Sequence, residues 1–153
     1  TDFEQIYALN LIAPYQMIKQ ARPHMKKSSA PSVVNISSVA GVRGIGSSIA
    51  YAASKGALNT ATMSLARALG KDKIRVNAVC PGFVGTDWFL NAFGEKVFNQ
   101  ISDDVKAITP MDQVAGAKDI TGPILFFASR FSQHVTGQLL VVDGGMLLGM
   151  PAN

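Results

Sequence analysis

The chain has 153 residues, a net charge of +4, and 16% charged against 48% hydrophobic side chains. That balance excludes intrinsic disorder and suits one domain with a core of its own. A single Cys and two distant His leave neither a disulfide framework nor a zinc site, and no apolar run approaches the roughly 18 residues of a membrane span.

Phe3, Ile6, Tyr7, Leu11, Tyr15, Ile18 and Met25 recur at three- and four-residue spacing, which predicts an amphipathic helix over 2–27. Pro14 lies inside it and cannot donate to the Asn10 carbonyl, so a kink or a freed carbonyl is expected at Asn10. Pro31 follows a Ser-rich break, and Ser32 to Ile36 reads as a short buried strand. Gly41, Gly44 and Gly46 read as a loop, and an Ala-rich helix is expected from Ser47 to Leu69 with Gly70 as its stop. Ile74 to Val79 reads as the next strand, closed by Pro81-Gly82. Residues 83–112 read as short helices and loop. Residues 113–129 read as a third helical segment, broken or started near Gly122-Pro123. Leu139 to Val142 is the last strand. Helix and strand alternate, and the strands lack the in–out alternation of a sheet with one wet face. The expected class is α/β, a parallel sheet with helices on both faces, in one partial domain over 1–153 with three strands.

The charge is unevenly placed. Residues 1–77 carry ten basic and three acidic side chains, residues 78–153 four and seven. The cations gather near helix ends, Lys19, Arg22, Lys26 and Lys27 at one and Arg67, Lys71, Lys73 and Arg75 at another, where they complement the helix dipole. No aromatic platform is interleaved with them, which argues against nucleic acid as a partner.

Ligands of open parallel sheets sit outside the carboxyl ends of the strands. There the chain offers Ser37 and Ser38, then Pro81, Gly82, Val84, Gly85 and Thr86. Tyr51 and Lys55, four apart, share one helix face and form a candidate acid–base pair, since a neighbouring ammonium favours a phenolate. Taken singly, a Tyr and a Lys at this spacing also describe a solvated face, and two Ser after a strand are ordinary loop chemistry.

In combination, Asn10, Val33 to Ser38, Tyr51-Ala52-Ala53-Ser54-Lys55, Arg75 to Gly82, Val135-Thr136-Gly137-Gln138 and Asp143-Gly144-Gly145 resemble the short-chain dehydrogenase/reductase family in order and spacing. The resemblance implies the C-terminal part of a Rossmann-type doubly wound sheet and an NAD- or NADP-dependent interconversion of a secondary alcohol and a ketone. It makes Tyr51 the general acid/base and Ser38 the group that holds and polarises the carbonyl. Lys55 becomes the ammonium that assists Tyr51 and binds the nicotinamide ribose. Asn10 would fix a relay water through its main-chain carbonyl, and Pro81, Gly82, Val84 and Thr86 would contact the nicotinamide end. It further implies a lid over the substrate within about 83–112 and a homodimer or homotetramer built on the helices 2–27 and 47–69, while the lack of a membrane-span or signal-peptide pattern makes a soluble, cytoplasmic setting the expectation. A 3-oxoacyl thioester is one candidate substrate.

The family's N-terminal Gly-rich turn, which cradles the pyrophosphate, has no counterpart here. Gly41-Val42-Arg43-Gly44-Ile45-Gly46 has the spacing G-x-x-G-x-G rather than G-x-G-x-x-G, so it is expected to line the substrate side instead. Relative to the family, about a hundred residues and about four strands would precede this chain. These residues alone are expected to bind dinucleotide weakly, turn over poorly and expose one apolar sheet edge. A non-catalytic fragment or interaction protein without cofactor binding is the alternative. Trp88, Phe89, Phe93 and Phe98 suit either a pocket wall or a satellite core. Cys80 suits a buried structural thiol, and Met111, Met146 and Met150 suit packing or a subunit contact.

Overall fold

The structure is a computed structural model that describes residues 2–149. Three parallel strands, β1 (Ser32–Ile36), β2 (Arg75–Pro81) and β3 (Leu139–Val142), form one sheet in the order β1-β2-β3. Val33 pairs with Val76 and Val79 with Leu140. The sheet therefore stands at the expected places and in the expected class.

Helices cover both faces. On one side, α2 (Ala13–Met25) and α4 (Ile49–Leu69) bury Ile18, Ala66 and Leu69 against Ile74 and Val76. On the other, α7 (Ala117–Ala128) packs Ile120 and Phe127 onto Val79. The middle strand β2 is buried from Arg75 to Cys80 and is apolar there except at Arg75 and Asn77, whose side chains are hydrogen-bonded. Among the described residues β1 pairs only with β2, so its other edge is unpaired, and no helix is long and apolar enough to cross a membrane.

Four details differ from expectation. The first helix is not continuous: α1 (Asp2–Tyr7) passes into a π-helical turn, Ala8–Ile12, before α2 begins. Pro14 removes the donor that Asn10 would use, and the backbone widens to a five-residue step in which the Ala13 N–H meets the Ala8 carbonyl. Gly41 to Gly46 is not all loop, because Ala40–Arg43 forms a short helix, α3, closed by Gly44 in the left-handed conformation at φ 71°. Gly70 does not stop α4 in that conformation: its φ is −57°, a 3-10 turn runs on to Asp72, and Lys73 takes the positive φ. Gly122-Pro123 neither breaks nor starts α7. Gly116 opens that helix, with its N–H bonded to the Asp119 carboxylate at 2.7 Å.

The two basic helix ends meet on one carboxylate. Arg22 contacts Asp72 at 2.6 Å and Lys26 contacts it at 3.2 Å, tying α2 to the turn after α4. The Arg22 hydrogen bond holds the Asp72 carboxyl below its ordinary 3.8. Since the folded value lies below the unfolded one, the clamp's contribution is present above about pH 3.8 and is lost as pH falls through the folded value. Asp72→Asn should therefore lower the melting temperature at neutral pH by a small, constant amount that vanishes in acid. Thermal melts of both proteins between pH 7 and pH 2 check this.

Candidate active site

Every expected catalytic residue lies on an element whose position has a visible cause. The chain leaves β1 still laddered to β2, with the Ser37 N–H on the Val79 carbonyl at 2.8 Å and the Val39 N–H on the Pro81 carbonyl at 3.0 Å. Ser38 is held between these two bonds at the carboxyl end of the sheet. Its hydroxyl accepts from the Ala40 N–H at 3.1 Å, which opens α3.

Alpha4 starts at the same end. Ser48 caps it by accepting from the Tyr51 N–H at 3.1 Å, and the Ser54 hydroxyl donates to the Tyr51 carbonyl at 2.8 Å. Asn10, in the π-helical turn, donates its side-chain amide to the Ser54 hydroxyl at 3.0 Å. The backbone of Tyr51 is thus gripped from both sides, and Asn10 reaches it through Ser54. One turn on, Lys55 donates to the Ile36 carbonyl at 2.8 Å, and its Nζ stands 5.8 Å from the centre of the Tyr51 ring. Burial pulls the Lys55 ammonium below its ordinary 10.5.

Gly41 explains why α3 and α4 sit so close. A Cβ there would lie 2.6 Å from the Gly56 nitrogen, so a side chain would force the helices apart. The Asn59 side-chain amide meets the Gly41 carbonyl at 3.1 Å from the buried side. The first glycine of the G-x-x-G-x-G segment is therefore a packing glycine and the second a helix cap, and both are engaged within the protein.

Ser38 and Tyr51 line one cleft of about 230 Å³, whose remaining walls include Ile45, Phe83 and Met146. Gly82 lines it too, its N–H held to the Val142 carbonyl at 3.0 Å. Beyond it, Val84 bridges to Ala115 through the Gly85 N–H at 2.8 Å, which leaves the main-chain groups of Val84 out of that bond. Lys55 and Asn10 stand behind Tyr51, outside the cleft lining. Thr86 precedes α5 (Asp87–Phe93).

Two contributors escaped the sequence reading. Ser54 is fully buried and couples Asn10 to Tyr51 across 44 positions, a link that no local pattern signals. Met146 is a cleft wall residue, where packing or a subunit contact was expected. The Asp143 carboxylate bends the chain by accepting from the Gly145 and Leu147 N–H groups, and this turn delivers Met146 to the cleft. Met150 lies outside the described residues. Cys80 is buried, with its thiol pushed up by burial, as a structural role requires. The aromatic residues divide. Phe83, Phe89 and Phe98 cluster, with Phe98 on α6 (Glu95–Ile108), while Trp88 and Phe93 are 71% and 53% exposed.

A family model described as enoyl-(acyl carrier protein) reductase matches residues 1–147. The 7alpha-hydroxysteroid dehydrogenase of Clostridium sardiniense is 37% identical over 150 residues, 98% of this chain and 56% of its own. Among solved structures, ElxO with NADP bound superimposes with a TM-score of 0.85 at 31% identity, over 95% of this chain and 58% of that one. The 4-hydroxyisoleucine dehydrogenase complexed with NADH gives 0.83 at 30%, over 96% and 60%. The chain spans about half the length of the curated relatives it matches. With the match running from residue 1 to the turn beyond the last strand, the chain belongs to the short-chain dehydrogenase/reductase family.

Proposed function

We propose that this chain carries the catalytic side of an NAD- or NADP-dependent oxidoreductase that interconverts a secondary alcohol and a ketone. The observation that carries the reading is that Ser38 and Tyr51 line one cleft at the strand ends, with the Lys55 ammonium 5.8 Å from the Tyr51 ring.

In the reducing direction, Ser38 donates a hydrogen bond to the carbonyl oxygen and holds it beside Tyr51. The Tyr51 hydroxyl gives its proton to that oxygen as charge builds there. Lys55 uses one of its three hydrogens on the Ile36 carbonyl, which leaves two for a ribose hydroxyl and the relay. The Asn10 carbonyl, deprived of its helical donor by Pro14, is available to a water that returns the proton to Tyr51 by way of Lys55. Oxidation runs the same steps backwards.

The residues present fit one end of the dinucleotide. The Val84 main chain is available to a carboxamide and Lys55 to a ribose, Gly82 lines the cleft, and Pro81 and Thr86 lie on the same segment of chain. A bound nicotinamide would supply or accept the hydride at the substrate carbon. The pyrophosphate end finds no cradle in the 41–46 segment, where Gly41 packs on Gly56, Gly44 caps α3 and Gly46 lines the cleft.

Pairing of α1, α2 and α4 with a second copy belongs to the same proposal. Exposed Met17 on α2, Met63 on α4, and Leu9 and Ile12 on the π-helical turn between α1 and α2 support it.

Lys55→Ala tests the reading in the protein that carries this chain. Turnover should fall by about 100-fold and the dinucleotide dissociation constant should rise by about tenfold, since one ammonium serves both. Steady-state kinetics and a fluorescence titration with NADH or NADPH measure the two effects. If neither quantity moves, Tyr51 and Lys55 are a solvated helix face. The non-catalytic interaction protein is then the better reading, consistent with the unpaired edge of β1.

A further inference from the structure

We infer that the substrate at this site is an uncharged ketone or secondary alcohol with a bulky apolar body, selected by Ile45, Phe83 and Met146. The inference rests on the oxidoreductase reading above and names the substrate class for the same cleft.

Among the described residues, no Lys, Arg, His, Asp or Glu lines the cleft. Asp143, packed on Gly82, and Lys55, behind Tyr51, each already hold bonds within the protein. Both oxygens of Asp143 accept backbone N–H bonds at 2.9 Å, and Lys55 is turned to the Ile36 carbonyl behind Tyr51. A carboxylate or phosphate on the substrate would lose its water against Ile45, Phe83 and Met146 and meet no counter-ion. Extra hydroxyls fare little better, because Ser38 and Tyr51 are the polar side chains of the wall and both are committed to the reacting oxygen. The substrate that leaves nothing unpaired has one polar atom in the cleft, the one that reacts.

The apolar surface also continues past the cleft. Phe83 meets Phe89 edge-on at 5.1 Å, Phe89 packs on Phe93 at 4.6 Å, and Phe93 touches Trp88 at 6.2 Å. This aromatic ridge starts from a wall residue and ends on a largely exposed indole. A substrate with a broad hydrocarbon body would cover part of that surface, and a small polar one would not.

The test is a matched pair, 4-isopropylcyclohexanone and 4-oxocyclohexanecarboxylate, alike in shape and different in charge, offered with NADH or NADPH to the protein that carries this chain. The uncharged ketone should have the higher kcat/KM by about 100-fold. Ile45 is 45% exposed, so a longer side chain is tolerated there. Ile45→Lys should raise kcat/KM for the carboxylate about tenfold, and Ile45→Gln, polar but uncharged, should not. Equal use of the two ketones, or preference for the carboxylate, overturns the inference while the oxidoreductase reading stands, provided Tyr51→Phe still abolishes turnover. If neither ketone is reduced above the Tyr51→Phe background, the reading itself fails and the inference falls with it.

Discussion

Replacing Tyr51 by Phe is expected to lower turnover by about a thousandfold in the protein that carries this chain, with dinucleotide affinity nearly unchanged. The substitution removes one oxygen and leaves the ring. The ring fills the space beside Gly46, whose Cβ position lies 3.5 Å from Tyr51 Cδ1, and the two backbone bonds that grip residue 51 come from Ser48 and Ser54. Packing and helix position are therefore preserved, so a loss of rate reports the hydroxyl. The loss should appear in kcat and kcat/KM together, as for a group that acts in the transition state. It should also differ in kind from Lys55→Ala, which weakens cofactor binding as well. A Tyr51→Phe protein that turns over at the wild-type rate would remove Tyr51 from the mechanism and leave Ser38 without a partner for proton transfer.

The legible parts of this fold were those with a local physical signature. A strand covered on both faces is mostly apolar, and from Ile74 to Cys80 only Arg75 and Asn77 are polar, which is why β2 stood out. Tyr51 and Lys55 were legible because a helix places residues four apart on one face. A disturbance at Asn10 was legible from Pro14 alone, but its form, a π-helical turn, was not. Glycine was the misleading residue, since the same lack of a Cβ serves a loop, a left-handed cap and a close helix approach. Gly41 and Gly44 were read as loop because only the packed structure reveals that Gly41 faces the backbone of Gly56 and that Gly44 closes a helix. Pro123 misled in a similar way. Its missing N–H costs one bond to a carbonyl at Asp119, an exposed residue, and α7 runs on without it. Contacts far apart in sequence were not legible at all. The Asn10–Ser54 bond and the arrival of Met146 in the cleft both depend on chain segments that meet only after folding.

Arg75 supplies the sharpest case of a misjudged charge, and its replacement carries the largest expected loss of stability. From sequence it flanks the end of α4, one more cation at a helix terminus. In the structure it is 8% exposed, and its guanidinium lies under the C-terminus of a different helix, α7. It donates to the Phe127 carbonyl at 2.8 Å, to the Ser132 hydroxyl at 2.7 Å and to the Ser129 carbonyl at 3.2 Å. Helix carbonyls at that end lack donors of their own and carry partial negative charge, so a planar fork of N–H groups satisfies several at once. Burial draws the guanidinium below its ordinary value, and among the described residues no carboxylate pairs with it. The helix end is what makes a buried cation tolerable here.

Arg75→Met keeps much of the apolar stem and removes the charged donors, while the Ser32 and Ser132 hydroxyls still reach the Phe127 carbonyl and Ser132 the Ser129 carbonyl, so the loss should be about 2 kcal/mol of folding stability. Arg75→Lys, a point charge without the fork, should recover part of that loss. Urea denaturation followed by circular dichroism measures both, and a loss below about 0.5 kcal/mol for the Met variant would show that water replaces the guanidinium at no penalty. Arg75 opens β2 and Pro81 closes it, so the damage is done at the end of the sheet remote from the cleft. Molecules that remain folded should keep the wild-type kcat. Tyr51→Phe should give the reverse pattern, unchanged stability without turnover, and the two variants together separate the part of this chain that holds the sheet from the part that works on substrate.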